Sequence, residues 1–109
     1  MSGNVIEING ENFEKEVINY NGVAIVDCWA PWCGPCRMMS PIFEELSTEI
    51  QDVKFCKVNV DENRDIANSY RVNGIPNFLM FKNGKTIASK VGGSLKEELQ
   101  EWIIENSKK

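Results

Sequence analysis

A chain of 109 residues with 42% hydrophobic and 26% charged content is expected to form one globular domain, residues 1–109, whose core needs no metal or staple. A net charge of −4 with both signs interspersed argues against a nucleic-acid-binding or anionic-membrane surface. No apolar run approaches the ~20 residues that span a bilayer, and "MSGNVIEING" lacks the basic-then-apolar pattern of a signal peptide, so the cytoplasm is the expected compartment.

In chain order, "VIEI" (5–8) reads as a short strand. "ENFEKEVINY" (11–20) places Phe13, Val17 and Tyr20 at helical spacing and stops at Asn21-Gly22. "VAIVDCW" (23–29) is almost unbroken apolar sequence, the pattern of a central strand buried on both faces. A helix from about Pro35 to Ile50 follows, with Met39, Ile42, Phe43, Leu46 and Ile50 on its apolar side and a kink expected at Pro41. "VKFCKVNV" (53–60) is another strand, after which Asp61 is expected to cap a short helix across "ENRDIANSY". "NFLMFK" and "KTIASKV" flank Asn83-Gly84, a strong hairpin signal. Ser94 and Glu97 have the spacing of a capping box ahead of Leu95, Leu99, Trp102 and Ile103, an amphipathic helix. The order strand–helix–strand–helix–strand–helix–hairpin–helix implies an α/β fold. Its mixed sheet has parallel crossovers first, an antiparallel hairpin later, and helices on both faces.

The chemistry centres on "VDCWAPWCGPCRMMSP" (26–41), where Cys33 and Cys36 are separated by Gly34-Pro35. The chain has no histidine. That excludes Cys–His and Ser–His–Asp catalysis, histidine-containing zinc sites and histidine-held haem. Three readings of the thiols compete. Cys28, Cys33, Cys36 and Cys56 match the plant-type iron–sulfur spacing, but Cys28 sits within the strongest strand, where a ligand cannot swing to meet the others, and only one CxxC is present for zinc. A structural staple closing four residues stabilises by only about 2 kcal/mol and has little use in a reducing compartment.

The third reading is redox. Pro35 suits the first turn of a helix, which puts Cys33 at its start and Cys36 one turn in. Helical positions three apart hold Cβ atoms about 5–6 Å apart, whereas a disulfide wants about 3.5–4.5 Å; a half-free Cys33 at the helix end lets the bond close. The helix dipole there is worth about 0.3–1 kcal/mol, up to ~2 when partly buried, enough to draw a thiol pKa from about 8.5 towards 7. Thiolate at pH 7 then rises roughly 16-fold, but reduced nucleophilicity returns about 5-fold of it. A net gain of about 3-fold leaves much of the rate to docking of the target disulfide.

"WAPWCGPC", followed by "KVNVDEN", "NGIP", "FKNGK" and "KVGG", resembles the thioredoxin family along essentially the whole chain. The resemblance implies the thioredoxin fold, with about five strands and about four helices, and a dithiol–disulfide oxidoreductase that reduces protein disulfides through a redox-active Cys33–Cys36 pair. Cys33 would attack and Cys36 would resolve the mixed disulfide. Asp27 would be a buried proton acceptor for Cys36 acting through water, with Lys57 its charged neighbour; a solvated strand-end aspartate and a solvated lysine are the plain alternatives. Pro76 corresponds to the family's cis-proline, leaving the Ile75 backbone free to pair with an extended substrate. Trp32, Gly34, Pro35, Ile75, Pro76 and the Val91-Gly92 loop would form the docking patch. Trp29 and Trp102 are assigned to packing, and Cys28 and Cys56 to inert strand positions. Asn77 stands where the family more often has threonine, and Arg37 where it often has lysine; Met38, Met39 and Ser40 are less usual. No bound cofactor or metal is expected. A flavin-containing, NADPH-dependent thioredoxin reductase is the implied electron donor, a ferredoxin-linked one its alternative, and a monomer is expected. A disulfide isomerase or oxidase of the same fold, and a binding module using the Trp32/Ile75 patch without turnover, are the competing functions.

Overall fold

In a computed structural model describing residues 4–109, five strands alternate with helices: β1 (Ile6–Ile8), β2 (Val23–Trp29), β3 (Lys54–Asn59), β4 (Asn77–Lys82) and β5 (Lys85–Val91), with α1 (Gly34–Glu49), α2 (Arg64–Ser69) and α3 (Lys96–Ser107). A further helical turn, Glu14–Ile18, precedes β2. The first three residues of the N-terminal stretch read above lie outside the description. The strands form one mixed sheet in the order β1-β3-β2-β4-β5, with β1, β3 and β2 parallel and β4 and β5 antiparallel.

The central place of β2 explains its apolar run, because both faces are covered. Ile25 joins Phe43 and Leu46 of α1, Phe55 and Phe78 of the sheet, and Leu99 and Ile103 of α3 in one core. Ala24, Val26 and Cys28 point the other way, into a second core with Val17, Cys56 and Ile66. Phe43 stacks near Phe55 and Phe78, with centroids 5.0 and 5.6 Å away; such pairs add about 0.5–1.5 kcal/mol each beyond area burial.

Several local expectations are corrected. The segment 11–20 is not a regular α-helix: only Glu14–Ile18 is helical, with π-type bonding in which the Asn19 N–H reaches the Glu14 carbonyl at 2.7 Å. Val17 still reaches the core. Asp61 does not cap α2; Asn63 holds the flanking position without a side-chain cap, and the Asp61 carboxylate is engaged elsewhere. Nor do Ser94 and Glu97 form a capping box. α3 begins after Leu95, which flanks it without a side-chain cap, and the Ser94 hydroxyl donates to the Leu95 carbonyl at 3.2 Å. The competing bond is visible: the Ser94 N–H donates to Met39 Sδ at 3.4 Å, drawing this loop onto α1. The helix expected from about Pro35 to Ile50, by contrast, is present as α1 with Pro41 inside it.

The β4–β5 turn matches its sequence signal. Asn83 (φ 52) and Gly84 (φ 83) both adopt the left-handed conformation that a two-residue hairpin requires. A Cβ on Gly84 would lie 2.4 Å from the Ile18 carbonyl oxygen, so the tip is braced against the Glu14–Ile18 turn. Further along, Met80 pairs with Ala88 but Phe81 with Thr86, leaving Ile87 as an extra residue in a β-bulge. Arg71, directly after the α2 flank, is also left-handed (φ 54), a conformation that costs a non-glycine residue about 1–2 kcal/mol.

Candidate active site

β2 ends at Trp29, and the chain turns through Ala30–Trp32 into α1. Cys33 occupies the flanking position of that helix in an extended conformation (φ −87, ψ 111), and Gly34 and Pro35 open the first turn. Cys33 Sγ accepts the Cys36 N–H at 3.1 Å, so one of the unpaired N–H groups of the helix start is spent on this sulfur. Cys33 and Cys36 form a disulfide with Cα atoms 5.2 Å apart, inside the usual range. Exposure does not distinguish the two, at 4% and 3%. Hydrogen bonding does, since only Cys33 is aimed at the helix N–H groups.

Cys33 Sγ lies 3.7 Å from the Ile75 carbonyl oxygen. The Ile75–Pro76 peptide is cis, and the Pro76 carbonyl accepts the Gly92 N–H at 2.8 Å. Three loops therefore meet at the disulfide. Trp32 is 67% and Val91 60% exposed beside it, Gly34 has open space where a Cβ would stand, and Gly92 is left-handed at φ 99. Trp32, Gly34, Pro35, Ile75, Pro76 and Gly92 thus gather around the cysteines at one end of the sheet.

Beneath them, strand alternation turns Asp27 towards the α1 side, the same side as Ile25. Its register partner on β3 is Lys57. Both line a cavity of about 110 Å³ shared with Trp29, Cys36, Arg37 and Ser40. Asp27 is 4% exposed, and its Oδ1 and the Trp29 Nε1 are buried without a protein partner. A cavity of this size and polarity has room for water. Burial pushes the Asp27 carboxyl up to about 7, with the Lys57 ammonium pulling in the opposite direction. A carboxyl that titrates near neutrality next to Cys36 can accept or return a proton there.

The remaining cysteines do not join this group. Cys28 and Cys56 are free, fully buried thiols on the opposite side of the sheet, and desolvation pushes both up to about 12. Among the described residues no three His, Cys, Asp or Glu side chains converge as metal ligands. Trp102 packs against the α1–α3 core, whereas Trp29, assigned above to packing alone, also lines the Asp27 cavity and holds its ring 5.9 Å from Lys57 Nζ.

Two contacts escape sequence reasoning. Asp61 Oδ2 accepts the Trp32 Nε1–H at 2.9 Å, a tether between residues 29 positions apart with no local signal. Arg37 Nη1 donates to the Pro31 carbonyl at 2.8 Å, tying the loop before Cys33 to the helix after it, although its charge is the only feature the sequence advertises.

The thioredoxin family profile matches residues 4–105. Relatives named thioredoxin include one from Pseudomonas aeruginosa, 39% identical over 107 residues that cover 97% of this chain and 99% of that one. Another, from Rickettsia bellii, is 43% identical with the same coverage, and one from Rickettsia typhi is 44% identical over 104 residues, covering 94% and 96%. With paired cysteines at a helix start, a five-stranded sheet in this order and similarity along nearly its whole length, the chain belongs to the thioredoxin family.

Proposed function

We propose that this thiol–disulfide oxidoreductase, a protein-disulfide reductase by its family, works through unequal roles for its two cysteines. In the reduced protein the Cys33 thiolate attacks one sulfur of a target disulfide. The target S–S bond breaks, a Cys33–target bond forms, and the departing target thiolate takes a proton from solvent. Cys36 then loses its proton to the Asp27 carboxylate through water and attacks Cys33 Sγ. The second target thiolate leaves and is protonated, and the Cys33–Cys36 bond carries the two electrons' worth of oxidation. Lys57 moderates Asp27, keeping its carboxyl from rising further.

The observation that carries the role assignment is the Cys36 N–H aimed at Cys33 Sγ at 3.1 Å. A hydrogen bond to the charged form favours it, so thiolate is stabilised at Cys33. Docking supplies the rest of the rate: the target segment lies against Trp32, Gly34, Pro35 and Gly92 and pairs with the backbone beside Ile75 and Pro76. The substrates are disulfide-bearing proteins, and the oxidised form is recycled by a thioredoxin reductase of the NADPH–flavin type. The chain acts as a single-domain monomer in the cytoplasm. Among the described residues no helix is long and apolar enough to cross a membrane.

Dithiothreitol-driven reduction of insulin tests the assignment. Wild type accelerates it, Cys33→Ser and Cys36→Ser both fail, and Cys36→Ser accumulates a covalent mixed disulfide through Cys33. Accumulation in Cys33→Ser instead would reverse the roles.

A further inference from the structure

We infer that the enzyme carries a carboxylate-recognising subsite beside its docking patch, which favours target disulfides flanked by Asp or Glu. The site is a groove of about 400 Å³ between the turn after α2 and the edge strand β5. Gly74 and Val91 lie at its junction with the disulfide face; a Cβ on Gly74 would be 3.1 Å from Val91 Cγ1. The inference rests on the docking reading above, since the groove matters only if the target segment lies along Ile75 and Val91.

Asn77, only 4% exposed, lines the groove. Its Oδ1 accepts the Ser89 hydroxyl at 2.9 Å. The amide nitrogen, with two protons to donate, makes no hydrogen bond among the described residues. Arg71 lines the same groove and has no carboxylate within ion-pair distance among the described residues. It stands in the left-handed conformation that favours glycine or asparagine, so local backbone preference does not account for an arginine here. Among the described residues no Asp or Glu lines the groove; Thr86 and Ser89 add further hydroxyls. A guanidinium and an amide N–H in a wall free of negative charge fit a carboxylate.

The reach is short. Cys33 Sγ is 3.7 Å from the Ile75 carbonyl oxygen, and Asn77, the first residue of β4, lies two residues further along the chain, at most about 7 Å away. A carboxylate two to four residues from the reactive target cysteine would arrive over the groove. The rest of the molecule argues the other way, because a net charge of −4 repels an acidic segment. Without the subsite, acidic targets would be the slower ones.

The test uses two synthetic peptides, each with one intramolecular disulfide, identical except for Glu or Gln three residues outside each cysteine. The fully reduced protein is mixed with each, quenched with acid, and the second-order rates are read by chromatography. The glutamate peptide should react about 3-fold faster in low salt, the order expected of one exposed ion pair, and the ratio should approach 1 in about 0.5 M NaCl. Arg71→Gly, which relieves the left-handed strain and so retains the fold, should bring the ratio to 1 or below, while Arg71→Lys should keep part of it. A wild-type ratio at or below 1 overturns the inference. So does a preference that survives Arg71→Gly, or one abolished instead by Arg64→Gln in the separate groove beside Trp32. Failure of wild type to reduce either peptide, while it still reduces insulin, would overturn the docking reading and the subsite together.

Discussion

Replacing Asp27 by asparagine removes a buried carboxyl whose Oδ1 has no hydrogen-bond partner among the described residues and whose charge the Lys57 ammonium only partly offsets. In the unfolded chain this group has its ordinary value of 3.8, and in the fold burial raises it to about 7. Between those values the folded state binds the extra proton, so its contribution to stability falls as pH rises from about 4 to about 7 and is flat above. At 1.36 kcal/mol per pH unit, the side chain costs the fold about 4 kcal/mol at pH 8, where it is buried ionised, and about 2 kcal/mol at pH 5, where folding must first protonate it. Asparagine has neither penalty. With a denaturant slope of about 3 kcal/mol/M, guanidinium unfolding of the oxidised protein should place the Asp27→Asn midpoint about 1 M above wild type at pH 8. At pH 5 the advantage should shrink to about half a molar. The buried thiols of Cys28 and Cys56 are present in both proteins, so their own pH dependence cancels in the difference between the two midpoints. A pH-independent change, such as altered packing of the amide, would shift both midpoints equally. Equal shifts at pH 5 and pH 8 would therefore refute the reasoning. The same variant should reduce insulin more slowly and release mixed disulfides late, since Cys36 loses its proton acceptor.

Three further outcomes follow from geometry already described. Oxidised protein at pH 8 should show no thiol titrating rapidly with an aromatic disulfide reagent, and two after denaturation, because Cys28 and Cys56 are buried and pushed up to about 12; rapid labelling of the native form would contradict their burial. Asp61→Ala should free the Trp32 indole, raising KM for insulin about 5-fold, the equivalent of one hydrogen bond worth about 1 kcal/mol; a fall in kcat with KM unchanged would move Asp61 from positioning to chemistry. Gly84→Ala should destabilise by more than ~1 kcal/mol, because its Cβ would stand 2.4 Å from the Ile18 carbonyl oxygen at a φ of +83. Thermal unfolding unchanged from wild type would show that the hairpin tip is not braced there.

The parts of this fold that could be read from sequence are those in which one residue's neighbours suffice to fix its state. β2 was plain because a strand covered on both faces has no polar side to confuse its pattern. The Asn83-Gly84 turn was plain because few other pairs tolerate two left-handed residues in succession. The Cys33–Cys36 environment was legible through Pro35 and the helix it starts. What stayed hidden depends on distant partners. Ser94 and Glu97 have the spacing of a cap, but Met39, far away on α1, holds the Ser94 N–H. Asp61 looks like a capping residue until Trp32 folds over it. Lys57 could face either side of its strand by alternation alone, and only the parallel register with Asp27 sets it towards the cavity. The donor-lined groove around Arg71 and Asn77 is drawn from α2's flank, β4 and β5 together, so no contiguous stretch announces it.

The bulge at Ile87 has a consequence for how this chain tolerates length changes. Beyond it β5 keeps one phase, with Ser89 and Val91 on the groove side; before it the phase is reversed, so Thr86 lines the groove while Ile87 turns to the α1–α3 core. Deleting Ile87 would therefore remove one core side chain and yet leave every remaining pair in place, with Thr86 still opposite Phe81 and Lys85 opposite Lys82. It would restore simple alternation and take out the extra local twist that a bulge gives a strand. Deleting any other residue of β5 would instead force the chain to use up the bulge or to reverse the faces of one end of the strand. The supernumerary residue is thus slack in β5: one residue can be lost here while the hairpin tip and the active-site end both stay in register.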